Sequence, residues 1–259
     1  NLSDLAACGA RPLAFTLALA LPQAEERWLE GFSRGLYALA DAHDCELIGG
    51  DTTRGPLAIC ITVFGEVPPG QALLRSGAQV GDDLYVSGTL GDARLALEVF
   101  RGTRSLPQAA FDAARERMEQ PTPRVALGLA LRGVATAAAD ISDGLVGDLG
   151  HILKASALGA RIDTSIAIKL IASCGHSTLG SSQIDADFAL ECVLAGGDDY
   201  ELVFTAPPAA RNRVKAAAVM AQTPVTCIGR IEAAPGLRLV DGAGVALERR
   251  FASFDHFGD

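Results

Sequence analysis

The sequence predicts an α+β fold built from two units, residues 1–68 and 71–259. Three observations lead there. At 259 residues the chain can bury one large core or two smaller ones. Strand and helix patterns mix without the strict alternation of a doubly wound sheet. Pro68-Pro69-Gly70 breaks the patterning and marks the boundary between the units.

Ser3 is placed to cap a short helix running to residue 10, and residues 13–21 form an apolar strand. Pro22 opens a longer helix. In it Trp28, Phe32, Leu36 and Leu39 recur at three- and four-residue steps, the mark of one buried stripe. Residues 45–48 make a strand broken by Gly49-Gly50-Asp51, and residues 57–67 make another. The first unit thus has only three strands and two helices, and reads as incomplete.

In the second unit, residues 83–87 predict a strand, and 91–100, 107–119 and 124–132 predict helices. Residues 135–141 return to a strand, followed by a helix near 148–156 and a strand near 160–163. Residues 168–183 are rich in Ser and Gly and read as a loop. A helix at 187–194, a strand at 200–205 and a helix at 209–222 follow. Strands at 225–231 and 237–247 close the chain, the last bent at Asp241-Gly242.

The formal charge of −9 argues against a nonspecific nucleic-acid binder, which needs a positive footprint. No apolar run approaches the roughly 18 residues that span a bilayer. Asn1-Leu2-Ser3-Asp4 has no basic start of a signal peptide. Lysines are limited to Lys154, Lys169 and Lys215, so phosphate contacts fall to arginine, whose planar fork suits them. The six cysteines form no C-x-x-C pair and read as reduced core thiols, as in the cytoplasm. The four histidines show no metal spacing, and His43, His151 and His176 read as structural or exposed.

There is no P-loop, no G-x-G-x-x-G and no nucleophile elbow. Gly–Asp recurs instead, at Asp51, Asp82, Asp92, Asp148 and Asp198. Each instance fits a plain turn, because Gly supplies positive φ and Asp bonds its own backbone. Three have more around them. Gly49-Gly50-Asp51-Thr52-Thr53 joins backbone donors to a carboxylate, a phosphate-and-metal combination. Asp140-Ile-Ser142-Asp143-Gly144 leaves a strand and enters a helix, whose N-terminus favours anions. Gly196-Gly-Asp198-Asp199-Tyr200-Glu201 sets three carboxylates together, tolerable with a cation between them. Asp4 fits a helix cap or a metal ligand equally. The tail containing Phe251, Phe254 and Phe257 fits core sealing or a stacking surface.

Taken in order, Asn1-Leu-Ser-Asp4, Leu47-Ile-Gly-Gly-Asp-Thr-Thr-Arg-Gly-Pro56, Arg75-Ser-Gly-Ala78, Asp140-Ile-Ser-Asp-Gly-Leu145, Gly196-Gly-Asp-Asp-Tyr-Glu-Leu202 and Asp255-His-Phe257 resemble the thiamine-monophosphate kinase family. Synthetases of aminoimidazole ribonucleotide and of selenophosphate share its ATP-binding fold. The resemblance implies transfer of the ATP γ-phosphoryl to thiamine monophosphate by a homodimer using several Mg²⁺ ions. It implies Asp4, Asp51, Asp140 and Asp143 as metal ligands, and Gly50, Asp51, Arg75 and Ser142 as ATP contacts. It implies Asp198 and Phe254 as substrate contacts, Asp198 standing where the family usually has glutamate. No protein nucleophile is needed, because the acceptor phosphate is already ionised. Related readings are a synthetase of the same fold or a noncatalytic nucleotide-binding module. The family's acidic Gly-Asp-Asp segment lies upstream of the match to Asn1. The chain is therefore expected to lack several metal ligands and part of the dimer-forming sheet.

Overall fold

The computed structural model describes residues 1–171, 185–249 and 251. The chain opens with α1 (Leu2–Ala7), and the first unit follows with β1 (Arg11–Leu21), α2 (Glu26–Ala42), β2 (Glu46–Arg54) and β3 (Ala58–Glu66). The second begins with β4 (Asp83–Ser87), α3 (Asp92–Phe100), α4 (Gln108–Glu119), α5 (Val125–Ala130), β5 (Ala137–Ile141) and α6 (Leu145–Ser156). It continues through β6 (Gly159–Asp163), α7 (Thr164–Ala167), α8 (Ala186–Ala195), β7 (Glu201–Ala206), α9 (Arg211–Met220), β8 (Val225–Glu232) and β9 (Gly236–Val240).

Among the described residues the strands make two sheets, β2-β1-β3 and β5-β7-β4-β8-β6-β9. In the small sheet β1 runs parallel to β2 and antiparallel to β3. Phe15 and Val63 pair on the face toward α2, where Leu36, Ala40 and Leu47 join them. The opposite face carries Ala14, Thr16 and Ala18, paired with Phe64, Thr62 and Cys60.

The large sheet is apolar on both sides, which is why β4, β5 and β7 are buried throughout. Leu84, Val86, Ile141 and Val203 pack one face against Leu145, Leu149 and Ile152 of α6 and Val193 of α8. Tyr85, Leu202 and Phe204 pack the other against Leu127 of α5 and Val214 of α9. Ala6 and Ala7 of α1 join this second layer. The first helix of the sequence thus belongs, by packing, to the large sheet.

Several expectations change. Residues 49–51 do not end a strand: β2 runs through them, with a register shift opposite Phe15 and Thr16 that leaves Ile48 unpaired. Gly50, at φ +145°, lies where a Cβ would stand 1.9 Å from the Leu17 carbonyl oxygen. Close backbone approach of two parallel strands, rather than a turn, requires that glycine.

The α2 stripe is only partly covered. Trp28 and Leu39 remain 36% and 44% exposed, and Trp28 stacks on Phe32 at 5.1 Å. A three-stranded sheet is too narrow to cover a seventeen-residue helix. Ser3 is not the cap of α1; Asn1 holds that place, Ser3 is buried, and the helix stops at Ala7. The helix expected from Pro22 begins at Glu26.

Gly147 and Asp148 lie within α6, not in a turn. The last strand ends at Val240, where Asp241 Oδ1 accepts from Ala243 N and Val245 N and folds the chain back. The predicted loop starts as a 3-10 turn, Ile168–Leu170; residues 172–184 lie outside the described residues. Cys45 and Cys192 are core thiols as expected, but Cys8, Cys60 and Cys227 are exposed. No helix among the described residues is long and apolar enough to cross a membrane.

Candidate active site

The site forms where the end of β5 meets the start of β7. The two strands pair antiparallel, with Asp140 opposite Leu202 and Ile141 opposite Glu201. That register lays the segment before β7 against the segment after β5. Tyr200 N donates to Ile141 O at 2.9 Å, and Asp198 N donates to Ser142 O at 2.9 Å. Asp198 and Tyr200 both take left-handed backbone, at φ +64° and +51°. Such strain in non-glycine residues persists only where surrounding bonds hold it.

Asp140 is a buried carboxyl at the end of β5. Burial pushes its pKa up from the usual carboxylate range. The nearby Ser3 hydroxyl, whose oxygen is buried with no hydrogen-bond partner among the described residues, pulls it back, and the charge of Asp4 pushes it up again. Helix α1 therefore brings Asp4 to Asp140. The Cys8 thiol, raised first by partial burial, feels Asp4 and Asp140 in the same direction and Arg75 in the other. Asp4, Cys8, Arg75 and Asp140 thus form one electrostatic group.

On the other side of that group, the Tyr200 hydroxyl donates to Asp198 Oδ1 at 3.2 Å. Its pKa is pushed up to about 12, by burial first and then by Asp198, Asp140 and Asp143. Ser142 and Asp143 are held from below. Asp148 Oδ2 accepts from Ser142 N at 3.0 Å and from Asp143 N at 3.1 Å.

The three carboxylates of residues 198–201 do not share a cation. Asp198 faces solvent. Asp199 is buried, takes Gly91 N on both oxygens at 3.0 Å, and is pushed well above the usual carboxylate range by that burial. Glu201 points into a nest of Arg117, Arg124 and Ser87. The cations that make the cluster tolerable are arginines from α4 and the α5 cap, far off in sequence.

Gly50 and Asp51 lie on the small sheet. Asp51 is exposed beside Ala18, on the face away from α2, and its side chain makes no hydrogen bond or ion pair with the Asp4–Asp140 group among the described residues. Phe254 lies outside the described residues. No three His, Cys, Asp or Glu side chains among those described gather tightly enough to hold a metal by themselves. Two hard oxygen donors, Asp4 and Asp140, could nonetheless serve an ion that takes its other ligands from phosphate and water.

Sequence reasoning missed Tyr200, Cys8 and the two arginines, and read Asp148 as a turn or cap at the start of a helix. An acid in the first turn of the helix after Asp143 was the available signal for Asp148. A separate hollow of about 420 Å³ borders Arg161, Cys227 and Arg230 and shares no residue with this site. Its arginines already face Glu232 and Asp83.

The family described as AIR synthase related protein matches twice, its N-terminal domain over residues 1–67 and its C-terminal domain over residues 79–242. Over 99% of its length the chain is 46% identical to the thiamine-monophosphate kinase of Salmonella typhimurium, covering 77% of that protein. The chain belongs to the thiamine-monophosphate kinase family. The thiamine-monophosphate kinase of Stenotrophomonas maltophilia K279a has the same fold, with a TM-score of 0.85 at 48% identity, over 95% of this chain and 77% of that one. A kinase of this family solved with AMPPCP and TMP superposes with a TM-score of 0.79 at 28% identity, over 99% of this chain and 77% of that one. The family fold of two sheet-containing domains is the one seen here, with mixed helices and strands as expected.

Proposed function

We propose that this chain transfers the γ-phosphoryl group of ATP to thiamine monophosphate, giving thiamine diphosphate and ADP. The observation that carries this is the clasp between residues 140–143 and 198–200, in a chain 46% identical to a thiamine-monophosphate kinase. A phosphate oxygen of the acceptor attacks the γ-phosphorus in line, and the bond to the β-phosphate oxygen breaks. The acceptor is already anionic, so no side chain need remove a proton. What the protein supplies is position and charge.

In this reading Asp4, Asp51, Asp140 and Asp143 hold Mg²⁺, while Gly50, Asp51, Arg75 and Ser142 meet ATP. Asp198 and Phe254 meet the thiamine substrate. The donor set suits a hard ion. Asp140 is buried next to another carboxylate, an arrangement that a cation relieves. Magnesium is ordinarily held by one or two carboxylates plus substrate phosphates, so a cage of three side chains is not required. Bound there, the ion neutralises charge building on the transferring phosphoryl. Arg75, on the same electrostatic group, supports a planar grip on phosphate oxygens.

We place the domain boundary between residues 68 and 71. A homodimer is supported by the face of the small sheet away from α2, where Phe64 is 46% exposed. A cytoplasmic enzyme fits the reduced cysteines. The natural full-length protein, given ATP, Mg²⁺ and thiamine monophosphate, should form thiamine diphosphate and ADP in equal amounts. Folded protein that makes neither overturns the reading.

A further inference from the structure

We infer that Asp148 is a positioning residue that sets the geometry of Asp140, Ser142 and Asp143, and through them the affinity for metal. This rests on the reading of those residues given under Proposed function. Asp148 sits in the first turn of α6 and is 5% exposed. One oxygen, Oδ2, takes two consecutive amides, Ser142 N and Asp143 N. Both amides precede the helix. The residue at the helix cap is Gly144, which has no side chain to offer, so the carboxylate of Asp148 braces the loop from inside the helix.

The same peptides are gripped from their other side. Ile141 O and Ser142 O accept from Tyr200 N and Asp198 N. Amides held by Asp148 and carbonyls held by residues 198–200 leave the intervening peptide planes one orientation. A flipped Ile141–Ser142 peptide would forfeit bonds on both sides. It would also shift the Ser142 and Asp143 side chains relative to the end of β5. Without the brace, the loop is tethered on its carbonyl side alone. Acceptor geometry, rather than charge, is what Asp148 provides, because a neutral amide oxygen can take the same two N–H groups.

The test uses full-length protein and Mn²⁺ as the probe, with bound ion counted by paramagnetic resonance and secondary structure followed by circular dichroism. Folded Asp148→Ala should bind Mn²⁺ about tenfold or more weakly, the range expected when a partner that orients ligands is lost. The Mg²⁺ concentration giving half-maximal turnover should rise in step. Asp148→Asn should stay within about threefold of the parent, since it keeps the acceptor. Folded Asp148→Ala with unchanged Mn²⁺ binding overturns the inference, and so does Asp148→Asn as weak as Asp148→Ala. Should Asp148→Ala not fold, amide exchange in the parent decides: fast exchange at Ser142 and Asp143 overturns the brace, and core-like protection supports it. Mn²⁺ binding needs no turnover. A parent that binds Mn²⁺ yet makes no thiamine diphosphate removes the kinase reading and leaves the brace standing.

Discussion

Arg124 holds Glu201 by both oxygens, its Nε donating to Oε2 at 2.6 Å and its Nη2 to Oε1. The Glu201 side chain has no solvent exposure, and Arg117 Nη2 adds a third bond at 2.8 Å. Removing one partner of a buried pair leaves charge without compensation and costs about 3–5 kcal/mol. Arg124→Ala should lose about 3 kcal/mol, the lower end, because Arg117 remains. Urea unfolding measures this, and a loss below about 1 kcal/mol would mean that Arg117 alone suffices.

Gly50 gives a sharper backbone test. Its φ of +145° and the Leu17 carbonyl oxygen 1.9 Å from where a Cβ would stand leave no room for alanine. Gly50→Ala should cost at least about 2 kcal/mol, in the range of strained backbone. Gly49→Ala, with nothing within 4 Å of its Cβ, should cost less. Equal losses in the two variants would show that the approach of β1 and β2 is looser than described.

Asp83 carries a pH dependence. Arg211 donates Nε to Oδ2 at 2.6 Å and Nη2 to Oδ1 at 2.9 Å. The hydrogen bond from Arg211 holds the carboxyl below its ordinary range, burial opposes it, and the charges of Arg211 and Arg230 add to the lowering. A depressed folded-state value contributes stability above the unfolded value and loses it as pH falls through the folded one. The window therefore lies below about pH 4. Arg211 is half in water, so solvent screening keeps the contribution small. Asp83→Asn should flatten the parent's loss of stability in that window; parallel curves for the two proteins would count against it.

Asp140→Asn separates fold from function. Burial and Asp4 both disfavour the charged form, so removing the charge should leave stability unchanged or raise it by about 1 kcal/mol. On the metal role proposed for Asp140, turnover should fall about 100-fold. Chelation should stop the parent and Mg²⁺ should restore it. An unchanged rate in Asp140→Asn would take this residue out of the metal site.

Much of the candidate site was legible in the sequence. Asp140, Ser142 and Asp143 stand where a strand gives way to a helix, and both periodicities are local enough to read. Asp198 was legible as part of a glycine-flanked acidic run. Asp199 and Glu201 were not separable from it, since alternate residues point to opposite sides and only their partners tell the sides apart. Those partners, Gly91, Arg117 and Arg124, lie some 77 to 108 positions away.

By itself the sequence determined which segments could be helix or strand, the boundary signal at Pro68-Pro69-Gly70, and the ordered motifs that place the chain in its family. These depend on residue periodicity, on backbone freedom at glycine and proline, and on side-chain chemistry, all carried within a few neighbours. Tertiary structure alone decided that Gly49-Gly50-Asp51 is strand rather than turn, because β1 approaches there. It also decided that Asp148 braces a loop from within a helix, and that α2 leaves part of its apolar stripe open. Each of these follows from what lies across a gap in space, and a one-dimensional pattern carries no record of that neighbour.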